Sequence, residues 1–165
     1  MARKTSAGTP ATVALTVAGV PFTAHSYDHD PAVTNYGAEA AGALGVSAAR
    51  IFKTLVVEVD GTFAIAIVPV GGSLDLKALA QVLGHKKAAL ADPGAARRRT
   101  GYVLGGISPL GQRRPSPTVL DDSALAHATI LVSGGRRGLD LELGPHDLIT
   151  LTGATTAPIG TAKRH

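Results

Sequence analysis

The sequence predicts an α/β domain of the α+β type, with helices surrounding a mixed, mostly antiparallel sheet. Three observations carry this. Strand-like and helix-like segments alternate irregularly instead of repeating as βαβ units. The step Asp60-Gly61 joins two long apolar strands as a two-residue hairpin. The helical segments start at capping residues and stop at glycines. At 165 residues, one domain spanning the chain, with its core over about residues 9–160, is expected.

Along the chain, Thr9 caps and Gly19 stops a helix in "TPATVALTVAGV", with Pro10 in the first turn, where a missing N–H costs nothing. "PFTAHSY" reads as a strand with Phe22, Ala24 and Ser26 on one face. "NYGAEAAGALG" is a helix ended by Gly45, and Ser47 caps a further turn, "SAAR". After the strand over residues 51–59, "TFAIAIVPV" returns nearly continuously apolar, as a central strand covered on both faces must be, until Pro69 limits it. "LDLKALAQVLG" is an amphipathic helix, Leu74, Leu76, Leu79, Ala80 and Leu83 on one side, with Ser73 as N-cap and Gly84 as stop. "KAAL" is a short strand, and "DPGAARRRTG" a helix with Asp92 as cap and Pro93 at its first position. "YVLGGISPLGQRRPSPTV" is irregular. "TVLD", "ATILVS" and "LDLEL" are strands, the last two joined by the turn "GGRRG". Strict alternation in "LDLEL" sends Leu139, Leu141 and Leu143 inward and Asp140 and Glu142 outward. "GPHDLITLTG" begins as a short helix and "TTAPIG" closes the chain.

Composition narrows the function classes. The absence of Cys excludes disulfides, thiolate catalysis by the protein and zinc–thiolate sites. "MARKTSAGTP" is basic and polar, and the "ATVALTVAGV" that follows is broken by Thr and Gly, so neither a signal peptide nor a membrane span is expected. A soluble, cytoplasmic protein without a membrane partner is the expectation. Few aromatics argue against a base-stacking platform. The net charge of +4 is unevenly placed. Lys77, Lys86, Lys87, Arg97, Arg98, Arg99, Arg113 and Arg114 face Asp92 alone in one stretch, which reads either as solvated helix and loop charge or as a polyanion-binding surface.

One cation interrupts the strand "RIFKTLVVEVDG". Ile51, Lys53, Leu55, Val57 and Val59 share one face, and Phe52, Thr54, Val56 and Glu58 the other. Lys53 thus stands in the more uniformly apolar row, the one expected to face the core. Two readings fit: a strand-end lysine snorkelling to water, or a charge at the mouth of a cavity aimed at a ligand. Periodicity leaves both open.

Two glycine-rich segments carry further candidates. "GGISPLG", residues 105–111, permits close backbone approach to a ligand, and its N–H groups suit an oxyanion. It is no Walker loop, lacking the Gly-Lys-Ser/Thr ending, and no nucleophile elbow, because Leu110 stands where Gly is required. A plain surface loop is the alternative. In "SGGRRGLD", hairpin punctuation explains the glycines, and a ligand role for Ser133 or Asp140 requires the first glycine-rich loop nearby. His25 and His29 have helical metal-ligand spacing, but the stretch reads as strand into loop and no metal is expected. No Ser/His/Asp triad can be assembled.

The segments "YDHDP", "TNYG", "FKTL", "LDLKALA", "TGYVLGGISPLGQ" and "VSGGRRGLDLEL", in this order, resemble the YbaK family of prolyl-tRNA editing proteins over about residues 9–150. The resemblance implies a curved, barrel-like sheet, no cofactor and no metal. It implies hydrolysis of the ester of mischarged tRNA(Pro), with cysteine as the amino acid removed, beside prolyl-tRNA synthetase as a transient partner. Carried over motif by motif, Lys53, Gly105, Gly106 and Ser108 fall on the catalytic positions. Tyr27, Tyr36, Thr54, Ser133 and Asp140 fall on substrate-binding ones. At Tyr36 the family often has Phe. "RRPSP" departs from the family's lysine-rich continuation, so no tRNA contact is carried over to it. With no protein nucleophile beside a base, the resemblance supplies the thiol of the mischarged cysteine as nucleophile, Lys53 acting through its charge on the terminal phosphate or ribose. Removal of alanine instead, and non-catalytic RNA binding, are the rival expectations.

Overall fold

The computed structural model describes residues 8–162, and the basic start of the chain through Ala7 lies outside them. Its largest sheet has five strands in the order β5 (Ala88–Leu90), β2 (Phe52–Val59), β3 (Thr62–Pro69), β6 (Thr118–Asp121) and β9 (Thr155–Ala157). β2 and β3 form the expected hairpin. Asp60 and Gly61 both take left-handed φ values, 47° and 85°, the pair that matches the twist of the flanking strands. β6 and β9 add in parallel to the far side of β3. A second sheet, antiparallel, has the order β1 (Thr23–Ser26), β8 (Leu139–Leu143), β7 (Ile130–Ser133). β4 (Gly72–Leu74) pairs with β10 (Gly160–Ala162) in a third. The helices are α1 (Pro10–Ala18), α2 (Tyr36–Leu44), α3 (Leu76–Val82), α4 (Pro93–Thr100) and α5 (Pro145–Thr152), with a 3-10 helix over Asp122–Ala126.

The mixed α/β class holds, but the barrel-like sheet does not: three separate sheets form among the described residues and none closes. One local expectation also changes. Ser73 is not a helix cap but lies in β4, and α3 starts two residues later, where the Asp75 carboxylate accepts from the Ala78 N–H at 3.0 Å. Pairing with β10 consumes the backbone that the longer helix would have needed. "SAAR" is a turn as expected, with Ser47 Oγ accepting from the Ala49 N–H.

The five-stranded sheet is covered on both faces, which explains why β3 is so continuously apolar. On one face, Phe52, Val56, Ile65, Ile67 and Leu120 meet Leu139, Leu141 and Leu143 of the second sheet, together with Leu15 of α1 and Leu148 of α5. On the other, Val57, Val59, Ala66 and Val68 pack under Leu79 of α3 and under Ile159. The main core therefore lies behind the row of Phe52 and Val56, not behind the row of Lys53. That row is buried at Ile51, before the sheets part, and again at Val57 and Val59, while Lys53 itself is half-buried.

The two larger sheets meet at one point. Ile51, just before β2, makes a parallel bridge to Leu131 of β7, with the Leu131 N–H donating to the Arg50 carbonyl at 2.9 Å. From there the strands pair away from each other, β2 with β3 and β7 with β8. A polar clamp holds the junction from outside. Glu142 accepts from Arg50 at 3.0 Å and from the Thr129 hydroxyl, and lies 2.8 Å from His25 Nε2. The Thr129 and His25 hydrogen bonds, more than the Arg50 charge, hold its carboxyl below the usual range. Leu131 is fully buried at this seam beside Ile51 and Ala40. Leu131→Ala is expected to cost about 2–5 kcal/mol, read as a lower midpoint in chemical denaturation with an unchanged slope.

Candidate active site

A cavity of about 240 Å³ opens where the two sheets part. Lys53 and Ser133 each stand two residues past the Ile51–Leu131 bridge, on strands that have separated, and both line it. Thr54 follows Lys53, and Asp140 lies directly opposite Ser133 across the β7–β8 pair. Tyr27, one residue past β1, closes one side and is held by its N–H to the Gly138 carbonyl at 2.9 Å. The start of α2 closes another: Asn35 caps the helix with its side chain, and Tyr36 follows. The crown of the loop over residues 101–111 completes the lining at Gly105.

The polar groups are arranged unusually. The Lys53 ammonium donates to the Gly72 carbonyl at 3.1 Å, which ties its position to the start of β4. The Thr54 hydroxyl is buried, with the residue 8 % exposed, and among the described residues it has no hydrogen-bond partner. Leaving such a group unsatisfied costs about 1–3 kcal/mol, which a bound ligand with an acceptor or donor recovers. Asp140 is buried rather than outward-facing, because Tyr27 and the cavity wall cover the face that β8 was expected to show to water. Burial pushes its carboxyl up to about 6, with His25 on the adjacent strand opposing part of the shift. Burial, and next the Asp140 charge, push the Tyr27 phenol up to about 12, so it stays a neutral hydroxyl.

Tyr36 is the roof. The Arg137 guanidinium lies over its ring at 4.9 Å and donates through Nε to the Leu104 carbonyl at 2.9 Å. His29 approaches the same ring at 5.7 Å and is itself held by Glu39 at 2.7 Å. On the loop side the ring rests on bare backbone. A Cβ at Gly105, which has φ +85°, would fall 2.8 Å from Tyr36 Cδ2 and Cε2. The second glycine-rich turn abuts the same loop: a Cβ at Gly106 would meet Arg136 Cα at 2.9 Å. The proximity required for Ser133 and Asp140 to share a site with the "GGISPLG" loop is therefore present.

Seven of the nine residues singled out from sequence line the cavity: Tyr27, Tyr36, Lys53, Thr54, Gly105, Ser133 and Asp140. Gly106 and Ser108 do not. The Gly106 N–H donates to the Val103 carbonyl at 2.8 Å. Ser108 is wholly buried, its hydroxyl accepting from the Leu110 N–H at 3.2 Å and its carbonyl from the Gln112 amide at 2.9 Å. Both shape the loop, whose base is tied by the Tyr102 hydroxyl donating to the Leu110 carbonyl at 2.6 Å. Sequence reasoning missed Asn35 and Gly37 in the wall. Their signals were present: an Asn at a helix start, and a Gly inside a helix, where it is costly unless something packs closely. At Gly37 that something is Val70, whose Cγ1 would lie 2.5 Å from an added Cβ. His25 and His29 serve two different carboxylates, and among the described residues no group of three or more His, Asp or Glu is placed to hold a metal ion.

Fold and cavity together define a small α/β domain with an open cavity between a seam lysine and a glycine loop. The chain belongs to the aminoacyl-tRNA editing domain family, whose model it matches over residues 30–151. It is 39 % identical over 124 residues, 74 % of this chain and 76 % of the relative, to an Enterococcus faecalis protein named "Putative Cys-tRNA(Pro)/Cys-tRNA(Cys) deacylase EbsC". It is 33 % identical over 111 residues, 67 % of this chain and 70 % of the relative, to YwhH of Bacillus subtilis. Its fold superposes with TM-score 0.81 and 27 % identity, covering 98 % of this chain and all of the other, on a crystal structure described as "a putative trans-editing enzyme for prolyl tRNA synthetase".

Two outcomes follow from this geometry. Gly105→Ala combines a left-handed φ with a clash on Tyr36, so a loss of about 1–3 kcal/mol and weakened ligand binding are expected, read by denaturation and by titration of a substrate analogue. Asp140 has a raised native pKa, so between about pH 4 and 6 the native state keeps a proton that the unfolded chain has released. Stability must then fall as pH rises through that window, by about 3 kcal/mol for a shift of roughly two units. Asp140→Asn should remove that fall, being more stable than the parent at pH 7 and no different below pH 4. Parallel pH–stability curves for the two proteins would refute this.

Proposed function

We propose that this protein is a trans-editing aminoacyl-tRNA deacylase that hydrolyses mischarged Cys-tRNA(Pro). Membership in the editing family and the printed name of the 39 % identical relative support the substrate class. The observation that carries the chemistry is a cavity with a tethered cation and a buried hydroxyl that lacks a partner among the described residues, and no imidazole among the residues that line it. Ser133, the one serine in the wall, accepts from the Gly135 N–H at 3.3 Å and faces a carboxyl, not an imidazole. Such a site positions a reaction whose nucleophile arrives with the substrate.

In this mechanism the cysteine thiol of the substrate attacks its own ester carbonyl. The S–C bond forms, the bond from carbonyl carbon to ribose oxygen breaks, and the thiol proton ends on the released ribose hydroxyl. Water then opens the resulting thiolactone to free cysteine. Lys53 holds the terminal phosphate or ribose by its charge, the Thr54 hydroxyl hydrogen-bonds the bound aminoacyl end, and Tyr36 on Gly105 walls off water. A small cavity accepts a small side chain. Selection of tRNA(Pro) is left to a transient complex with prolyl-tRNA synthetase, which raises the effective concentration of its own mischarged product.

A panel of tRNA(Pro) carrying radiolabelled cysteine, serine, alanine or proline tests this. Cysteine should be released fastest and serine, with a hydroxyl for the thiol, far more slowly. Lys53→Ala should lower the rate about 100-fold or more, and Lys53→Arg should restore it only in part, since its charge is displaced. Faster release of alanine would assign the protein to that substrate instead. Salt-sensitive binding with no release would make it an RNA-binding module.

A further inference from the structure

The eight basic residues of the stretch from Lys77 to Arg114 do not form one surface. Lys77 lies on α3, and Lys86 and Lys87 precede β5, where Asp60 accepts from the Lys86 N–H and pairs with His85 at 2.9 Å. The arginines are gathered elsewhere. The Arg113 N–H donates to the Thr100 carbonyl at 2.9 Å and the Arg114 N–H to the Arg99 carbonyl at 3.1 Å. These bonds draw the segment after the pocket loop back onto the last turn of α4. Arg97, Arg98, Arg113 and Arg114 are all exposed there, and among the described residues none of the four forms an ion pair. Arg99 is occupied internally: it donates to the Ser116 hydroxyl and the Pro115 carbonyl and lies over the Phe63 ring. The acidic residue nearest in sequence, Asp92, caps the opposite end of α4, toward which Arg98 leans.

A favourable interaction with the C-terminal end of the α4 dipole accounts for arginines on α4 itself. Arg113 and Arg114 come from outside the helix and add like charge at the same place. Unneutralised arginines brought together by backbone hydrogen bonds are complementary to a polyanion. Their location says which. They stand at the two feet of the loop whose crown, Gly105, lines the cavity. The six steps of chain from Arg99 to Gly105 span at most about 20 Å. A ligand whose ester end sits in the cavity and whose chain is a string of phosphates passes over this patch.

We propose that Arg97, Arg98, Arg113 and Arg114 form the docking surface for the ribose-phosphate backbone of RNA adjoining the ester, at the acceptor end of the tRNA. This rests on the deacylase reading and adds to it the surface that holds the body of the substrate. A second cavity, of about 250 Å³ and lined in part by Gln112, Ser116 and Thr118, lies along the same returning segment, so the surface beside the charge is concave, which favours a nucleic-acid strand over a flat anionic membrane.

The test uses the full chain and two double variants, Arg97→Gln/Arg98→Gln and Arg113→Gln/Arg114→Gln. Both retain the backbone N–H groups that pin the segment, and their unfolding midpoints are measured alongside. Uncharged tRNA is titrated across a salt series by fluorescence anisotropy, and deacylation is followed on Cys-tRNA(Pro) and on a cysteinyl ester of adenosine alone. Each pair of substitutions should weaken tRNA binding about tenfold or more at low salt and flatten the log–log salt dependence by about one to two. KM for Cys-tRNA(Pro) should rise, while kcat and the rate on the adenosine ester stay at the parent level. Unchanged tRNA affinity and salt slope in both variants would overturn the proposal. So would a variant defect confined to phosphatidylserine vesicles, which would make the patch a membrane surface. If the parent protein cleaves neither ester, the deacylase reading fails, and the tRNA titration still decides the role of the patch.

Discussion

The segment that enters β2 touches both larger sheets, and the rest of the structure depends on it. At Ile51 it bridges to Leu131 of the second sheet, and one residue later it is committed to the first. Strands that share a bridge and then pair with different neighbours must diverge, and divergence opens a cleft in an otherwise close-packed interior. The residues just past the fork, Lys53 and Thr54 on one side and Ser133 with Asp140 on the other, are thereby the ones placed in the cleft. The packing at Leu131 and the Glu142 clamp outside it keep the fork at one place. A slip of one residue would turn Lys53 to the other face.

What the fork opens, the loops close. The pocket loop and the "GGRRG" turn meet backbone to backbone, and Tyr36 is held between Gly105 and Arg137. The cavity then combines contrasting electrostatic environments. A carbonyl holds the Lys53 ammonium in place, while at Asp140 burial pushes the carboxyl toward neutrality. One hydroxyl, on Thr54, is left unsatisfied between them. A site of this kind spends folding stability to keep polar groups ready for a ligand, and it is suited to holding a reactive ester in place more than to attacking it.

Much of this was legible from local pattern. The α1 cap at Thr9, the α4 cap at Asp92 and the hairpin at Asp60-Gly61 depend on residues within a few positions of one another, and each stands as read. The site residues that came through motif resemblance cluster for the most part. The exceptions are instructive. Ser108 and Gly106 sit in the same motif as Gly105, yet their polar groups are consumed inside the loop. A motif constrains a loop's shape as strongly as its function, and the letters do not separate the two. Ser73 was misread because its backbone is claimed by β10, more than eighty residues away in sequence.

By itself, then, the sequence determined where most strands, turns and helix ends fall, that Lys53 stands in an apolar row, and that positive charge concentrates between Lys77 and Arg114. These follow from steric and hydrogen-bonding preferences that act over one or two turns of chain. Only the tertiary structure decided which faces are covered. It placed Lys53 at a fork instead of over the main core and turned Asp140 from an outward to a buried position. It also split the basic stretch into separate lysines and one arginine cluster. The physical reason is the same in each case. Alternation says that two residues lie on opposite faces, but what packs against each face is set by segments distant in sequence, and burial, charge and access all depend on that packing.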